Sequence, residues 1–213
     1  MEDNLNSTLL SPNVDTPLRD DASELTKKEK IEKIAELFGE IMWTLGLDLT
    51  DDSLKGTPLR VAKMYVNEAF SGLDIESKPA ISLFNNQYGY DQMLVEKNIT
   101  LYSHCEHHFV PIIGKVHVAY IPRQKVIGLS KINRLVQFYA NRPQVQERLT
   151  VQIANELKVA LGHDDVAVWI EADHLCVASR GIKDTNSRTV TESYSGAFKD
   201  ENVQQKFLAH ISY

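Results

Sequence analysis

Apolar residues recur at helical spacing from Ile31 through Ile34, Phe38 and Ile41 to Leu45, and the run stops at Gly46. Steps of three and four put these side chains on one face, so the pattern predicts an amphipathic helix. Thr26 and Glu29 just ahead of it match a capping box, in which each residue satisfies a free N–H of the other's turn. A second helix is predicted from Thr57-Pro58, a cap followed by a proline at the first helical position, through Leu59, Ala62, Val66 and Ala69 to about Gly72. Residues 23–78 therefore read as a helical lobe. Residues 1–22, polar and without an apolar period, read as a flexible arm.

After Pro79 the period changes. Extended runs at 93–102 and 110–121 predict two strands, the second interrupted by Gly114 and closed by Pro122. Two helices follow, at 130–140 and 144–161, the latter opened by Pro143 and striped by Leu149, Ile153, Leu157 and Leu161. Strands are expected again at 165–177 and 187–197, then a short helix at 200–209. Two strands, two helices and two strands predict an antiparallel four-stranded sheet with both helices on one face, an α+β layer spanning 79–213. Such a sheet has two open edges, and pairing between copies of the chain would cover them.

Composition changes little in this picture. The chain has 213 residues, 43% hydrophobic and 24% charged, enough for one core and a smaller lobe. A net charge of -6 argues against general nucleic-acid binding, while leaving room for a local basic pocket. No apolar run approaches a membrane span. The opening residues Met1-Glu2-Asp3-Asn4 have neither a basic nor an apolar leader region, so a reducing, cytoplasmic setting is expected and a disulfide is disfavoured.

The chemistry concentrates in two places. Both cysteines of the chain sit beside histidines, in Ser103-His104-Cys105-Glu106-His107-His108 and in His174-Leu175-Cys176. Two sulphurs with imidazoles are the donors Zn²⁺ prefers. Cys105 and His108 are three apart, so one tight turn brings them to the same side, and Cys176 arrives from a distant strand. That is a Cys₂His set with one position left for water. A closed Cys₂His₂ site using His107 or His174 as fourth ligand is the rival, and it would make the protein a zinc-stapled module with no catalysis. Left outside the metal set, His107 and His174 are candidate proton carriers, because imidazole titrates near neutrality.

Elsewhere, Ser130 falls at an expected N-cap, with Lys131 and Arg134 one turn apart behind it. Backbone donors and two cations suit a polyphosphate, although a solvated basic face reads the same way. Arg60 and Arg180 carry the same two readings. Gln146 and Glu147 open the following helix, where a carboxylate gains from the helix dipole.

Several motifs taken in order resemble the GTP cyclohydrolase I family. They are Cys-Glu-His-His-Phe-Val-Pro at 105–111, Val-Ile-Gly-Leu-Ser-Lys-Ile-Asn-Arg at 126–134, Arg-Pro-Gln-Val-Gln-Glu-Arg-Leu-Thr at 142–150 and His-Leu-Cys-Val-Ala-Ser-Arg-Gly at 174–181. The likeness extends over nearly everything after the first two dozen residues. It implies a tunnelling fold behind a helical lobe, and a zinc hydrolase that turns GTP and water into 7,8-dihydroneopterin triphosphate and formate at the entry to pterin and folate synthesis. It also implies roles: Cys105, His108 and Cys176 as zinc ligands, His107 and His174 as the acid-base pair, and Ser130 in rearranging the ribose. Glu147 with Gln146 would read the guanine, a carboxylate accepting the two parallel N–H bonds of its edge. Lys131, Arg134, Arg180 and, from the helical lobe, Arg60 would hold the triphosphate. The resemblance further implies a toroidal decamer with sites between subunits. Val177-Ala178-Ser179 lacks the basic residue some relatives place before Arg-Gly, which would slightly weaken phosphate binding. Tunnelling-fold relatives acting on other pterin or deazapurine substrates are the alternative within the fold; the paired cysteines favour GTP opening.

Overall fold

A computed structural model describes residues 15–212, so residues 1–14 of the expected arm lie outside the described residues. The described part divides into two compact units, Leu18–Ser77 and the remainder.

The first unit opens with α1 (Lys27–Thr44). Its capping box is present: Glu29 N–H donates to Thr26 Oγ1 at 3.3 Å and Thr26 N–H to the Glu29 carboxylate at 2.8 Å. The stripe drifts from the expected one. Met42 is the buried residue of the last turns, whereas Ile41 and Leu45 are 52% and 72% exposed. Gly46 ends the helix at φ 84, a left-handed conformation glycine adopts without strain.

Next comes α2 (Thr57–Met64), where the chain turns helical one residue earlier than expected, with Gly56 rather than Thr57 as N-cap. The expected continuous helix to Gly72 does not form. It widens at Tyr65–Ala69 into a π turn, closed by Phe70 N–H on Tyr65 C=O at 2.9 Å, and tightens at Ser71–Leu73 into a 3₁₀ turn. Wide turns of this kind interrupt an otherwise regular ladder, and here one lets the Tyr65 and Phe70 rings stack with centroids 5.2 Å apart. Lys27 pairs with Asp74 at 2.8 Å, tying the unit's first helix to its last turns.

In the second unit, β1 (Leu83–Asn85) pairs antiparallel with β4 (Lys125–Ile127), a small ribbon the periodicity did not disclose. The main sheet holds β2 (Leu94–Cys105), β3 (Pro111–Tyr120), β6 (Val166–His174) and β7 (Thr189–Tyr194), all antiparallel to their neighbours. A two-residue β5 (Pro143–Gln144) adds parallel to the end of β2, giving the order β5-β2-β3-β6-β7. Pro143 thus lies in a strand rather than at the start of a helix. Between them run α3 (Leu129–Ala140) and α4 (Gln146–Leu161), and after β6 come α5 (Leu175–Ala178) and α6 (Glu201–Ile211).

Alternation along the strands fixes the layers. Leu101, Val116, Val118, Val168 and Ile170 form one core with Ile132, Leu135 and Val136 of α3 and Leu149, Ile153 and Leu157 of α4. The partners of opposite parity, Ala119 and Ala167, face the reverse side, where Phe198 and Phe207 cover them from the 3₁₀ turn Gly196–Lys199 and from α6. The α+β arrangement, with paired helices on one face of an antiparallel sheet, is the expected one, and its C-terminal helix closes the other face. Gly114 has no room for a side chain: a Cβ there would lie 2.1 Å from the Glu171 carbonyl oxygen and 2.6 Å from Ala172 Cα. The close approach keeps β3 and β6 in the register that sets Ile112 opposite His174.

Candidate active site and metal centre

β2 ends in the first cluster. Cys105 is its last residue, and the chain reverses at once: Phe109 N–H donates to Cys105 C=O at 2.8 Å and Cys105 N–H to Val110 C=O at 2.9 Å. Phe109 takes φ 53, the left-handed region a non-glycine residue enters at a cost of about 1–2 kcal/mol. That tight reversal is why Cys105 and His108 share a side. Cys105 Sγ lies 3.9 Å from His108 Nδ1 and 3.7 Å from His107 Nδ1.

β6 ends in the second cluster. The strand expected to reach residue 177 stops at His174, and the helical turn α5 brings Cys176 back toward β2. Donor atoms of Cys105, His108 and Cys176 all lie within 4.8 Å of one another, so the three could hold a metal ion. Both thiols are free. Burial pushes the Cys176 thiol above its ordinary value, and the neighbouring Cys105 pushes it further. Two sulphurs and an imidazole crowded together in this way fit a borderline-soft divalent ion, which relieves the crowding by taking the thiol as thiolate. Among the described residues the cluster contains these three donors, without His107 or His174.

Around the donors stand groups that orient them. Arg180 Nη1 lies 2.7 Å from His108 Nε2; an arginine only donates, so that ring nitrogen accepts and the neutral ring carries its hydrogen on Nδ1, the nitrogen facing the Cys105 sulphur. Arg148 of α4 donates to both Glu106 oxygens, at 2.6 and 3.3 Å, and holds that carboxyl below the usual range. Glu106 N–H also donates to Gln144 C=O at 3.0 Å, through which β5 braces the same turn. His107 is exposed, with Nε2 3.8 Å from Glu106.

His174 is half-buried, and burial lowers its pKa against the opposing pull of the Glu147 and Asp173 carboxylates. Its Nε2 lies 2.8 Å from Gln146 Oε1. Gln146 is 1% exposed, and its amide nitrogen reaches Ile170 C=O, Thr189 C=O and Thr191 Oγ1 at 3.2, 3.0 and 3.1 Å. Glu147, one residue on, is exposed.

The basic residues are spread over three elements. Ser130 is not the cap of α3. Gly128 takes that position with extended backbone, and a Cβ there would come within 3.2 Å of the Phe84 ring, so Ser130 sits exposed in the first turn. Lys131 beside it is half-buried and Arg134 one turn on is exposed. Arg180 follows α5. Arg60 belongs to α2 in the other unit, exposed and folded back over Gly56. Sequence reasoning missed the Glu106–Arg148 pair; the available signal was a carboxylate and a guanidinium each set inside a motif block.

A family model described as GTP cyclohydrolase I matches residues 34–212. The chain is 58% identical over 209 residues to a protein named GTP cyclohydrolase 1 from Flavobacterium johnsoniae, covering 98% of this chain and 94% of that one. It is 50% identical over 210 residues to a protein of the same name from Enterobacter sp. strain 638, covering 98% and 95%. Among solved structures, an archaeosine synthase QueF-Like in its apo form aligns with a TM-score of 0.37 at 23% identity, over 47% of this chain and 92% of that one.

Proposed function

The chain belongs to the GTP cyclohydrolase I family, and from that premise we propose that it is a zinc-dependent enzyme converting GTP and water to 7,8-dihydroneopterin 3'-triphosphate and formate. This is the first step of pterin and tetrahydrofolate biosynthesis. The observation that carries the zinc dependence is the Cys105, His108 and Cys176 cluster, whose three donors converge within 4.8 Å. Cys105, His108 and Cys176 would hold the Zn²⁺, which when bound would supply a water acidified to a pKa of about 7 as the nucleophile.

The remaining work falls to the chain. Glu147, exposed at the start of α4, accepts the N1–H and 2-amino hydrogens of guanine as a fork. His107 donates a proton to guanine N7, which makes C8 electrophilic toward water, and a second water then releases formate from the ring-opened formamide. His174 and Ser130 move protons at the ribose while it opens and rearranges. Closing the pterin ring returns one water, so the reaction balances with one water consumed. Lys131, Arg134 and Arg180 pair with the triphosphate oxygens.

The tunnelling-fold domain (79–213) carries this chemistry, with the helical lobe (23–78) as an accessory. The edge strand β7, with Thr189, Val190 and Glu192 exposed, supports assembly through strand edges into a homo-oligomer, a toroidal decamer with sites between subunits. No helix among the described residues is long and apolar enough to cross a membrane, and we place the enzyme in the cytoplasm.

The test is incubation of the purified protein with GTP, with and without a zinc chelator. Formate and a pterin that fluoresces after oxidation are expected in stoichiometric amounts and are abolished by the chelator. Turnover that survives complete metal removal refutes the zinc dependence; GTP consumed without formate refutes the reaction.

A further inference from the structure

We infer that Gln146 is a positioning residue that fixes His174 in one tautomer, protonated on Nε2, so that Nδ1 is the atom through which His174 exchanges protons with substrate. The inference rests on the reading of His174 as a proton carrier and adds which nitrogen does the work and what sets it.

The direction of every bond in this network follows from what each atom can do. Ile170 C=O and Thr189 C=O only accept, and both lie within reach of one end of the Gln146 side-chain amide, at 3.2 and 3.0 Å. That end must therefore be the NH₂. Turned over, the amide would set its own oxygen against two carbonyl oxygens in a buried site. Oε1 consequently faces His174 Nε2, 2.8 Å away, and because Oε1 can only accept, Nε2 must carry the hydrogen. In the neutral ring the lone pair is then on Nδ1.

Two threonines close the network. Thr150 Oγ1 lies 2.8 Å from Gln146 C=O, which takes its single hydrogen. Thr150 Oγ1 must then accept from Thr191 Oγ1, 2.7 Å away, which leaves the Thr191 oxygen as an acceptor 3.1 Å from Gln146 Nε2, sharing the two amide hydrogens with the Ile170 and Thr189 carbonyls. Donation runs from His174 through the Gln146 amide to Thr191, Thr150 and finally the Gln146 backbone carbonyl, with no donor facing a donor. Gln146 is 1% and Thr150 1% exposed, so water has little access to break the sequence. The same engagement occupies the Gln146 side chain that the family resemblance assigned, with Glu147, to reading guanine.

The test uses full-length protein labelled with ¹⁵N-histidine and observed by two-bond ¹H–¹⁵N correlations near pH 8, where a free imidazole is neutral, with His174 assigned by its loss in His174→Ala. The unmodified protein is expected to show the Nε2–H tautomer alone. A dominant Nδ1–H form overturns the inference without recourse to any variant. Gln146→Leu is expected to give a mixture of tautomers and to lower kcat about 10- to 100-fold with KM for GTP changed less than about 3-fold, the pattern for a group that acts on the reacting state. A rise in KM at unchanged kcat, with the tautomer intact, would make Gln146 a substrate contact instead. Unchanged turnover in His174→Ala would remove the proton-carrier reading, while the tautomer measurement would still decide what Gln146 does to the ring.

Discussion

Replacing Arg148 with methionine tests whether charge holds the turn that carries Cys105 and His108. The guanidinium donates to Glu106 at 2.6 and 3.3 Å, and the two side chains are 16% and 24% exposed. An exposed ion pair contributes about 0–1 kcal/mol, whereas removing one partner from a fully buried pair costs about 3–5 kcal/mol. Glu106 keeps some access to water, so the loss should fall between these, at about 2 kcal/mol, within the range for a hydrogen bond to a charged group. For a chain of this length each kcal/mol moves the melting temperature by about 2–4 °C, so the variant should melt about 4–8 °C lower at matched protein concentration. The pH dependence has a fixed sign. Arg148 holds the folded Glu106 carboxyl below its usual range, so the stabilisation is complete above the unfolded carboxyl's pKa and is lost as pH falls through the lower folded value. Calorimetry should therefore show a constant gap between the two proteins above about pH 6, narrowing as the pH drops below roughly 4.3. A double-mutant cycle with Glu106→Gln isolates the pair. Coupling below about 0.5 kcal/mol, where independent sites fall, or a gap that persists unchanged into acid, refutes the reasoning.

Gly114→Ala should lower the melting temperature through a side chain forced onto the Glu171 carbonyl, at about 1–3 kcal/mol for overpacking; an unchanged melt would show that β3 and β6 can separate freely. Cys176→Ser should abolish stoichiometric zinc by elemental analysis and turnover together, and a variant keeping both contradicts its place among the ligands. His107→Ala should retain full zinc while kcat falls about 10²- to 10⁴-fold, the usual contribution of a placed acid or base; loss of zinc would make His107 a ligand.

What was legible in the chain follows from how far apart the cooperating residues lie. The capping box of α1 and the stripe of α4 involve neighbours within a turn or two, and local pattern was enough to find them. The cluster of Cys105, His108 and Cys176 joins residues far apart in the chain, yet cysteine beside histidine is rare enough that residue type alone marked both halves. Where neither locality nor rarity helped, inference went astray. Ile41 and Leu45 fitted the helical period but drifted off the buried face, because Met42 occupies it. Ser130 had the chemistry of an N-cap, but Gly128 takes that position, where a Cβ would crowd the Phe84 ring at 3.2 Å.

Gln146 is the instructive case. Beside Glu147 in sequence, it invited a shared role, but successive residues on a helix point about 100° apart, 3.6 making a turn. At the start of α4 that rotation sends Glu147 outward and Gln146 into the sheet, toward His174, Thr189 and Thr191, which lie 28, 43 and 45 residues away. Only the folded β6–β7 pair brings those partners together. On the proposed reading, the residue offered to substrate and the one that aims the proton-carrying ring are neighbours in the chain, and the helix turn between them separates an exposed Glu147 from a buried Gln146.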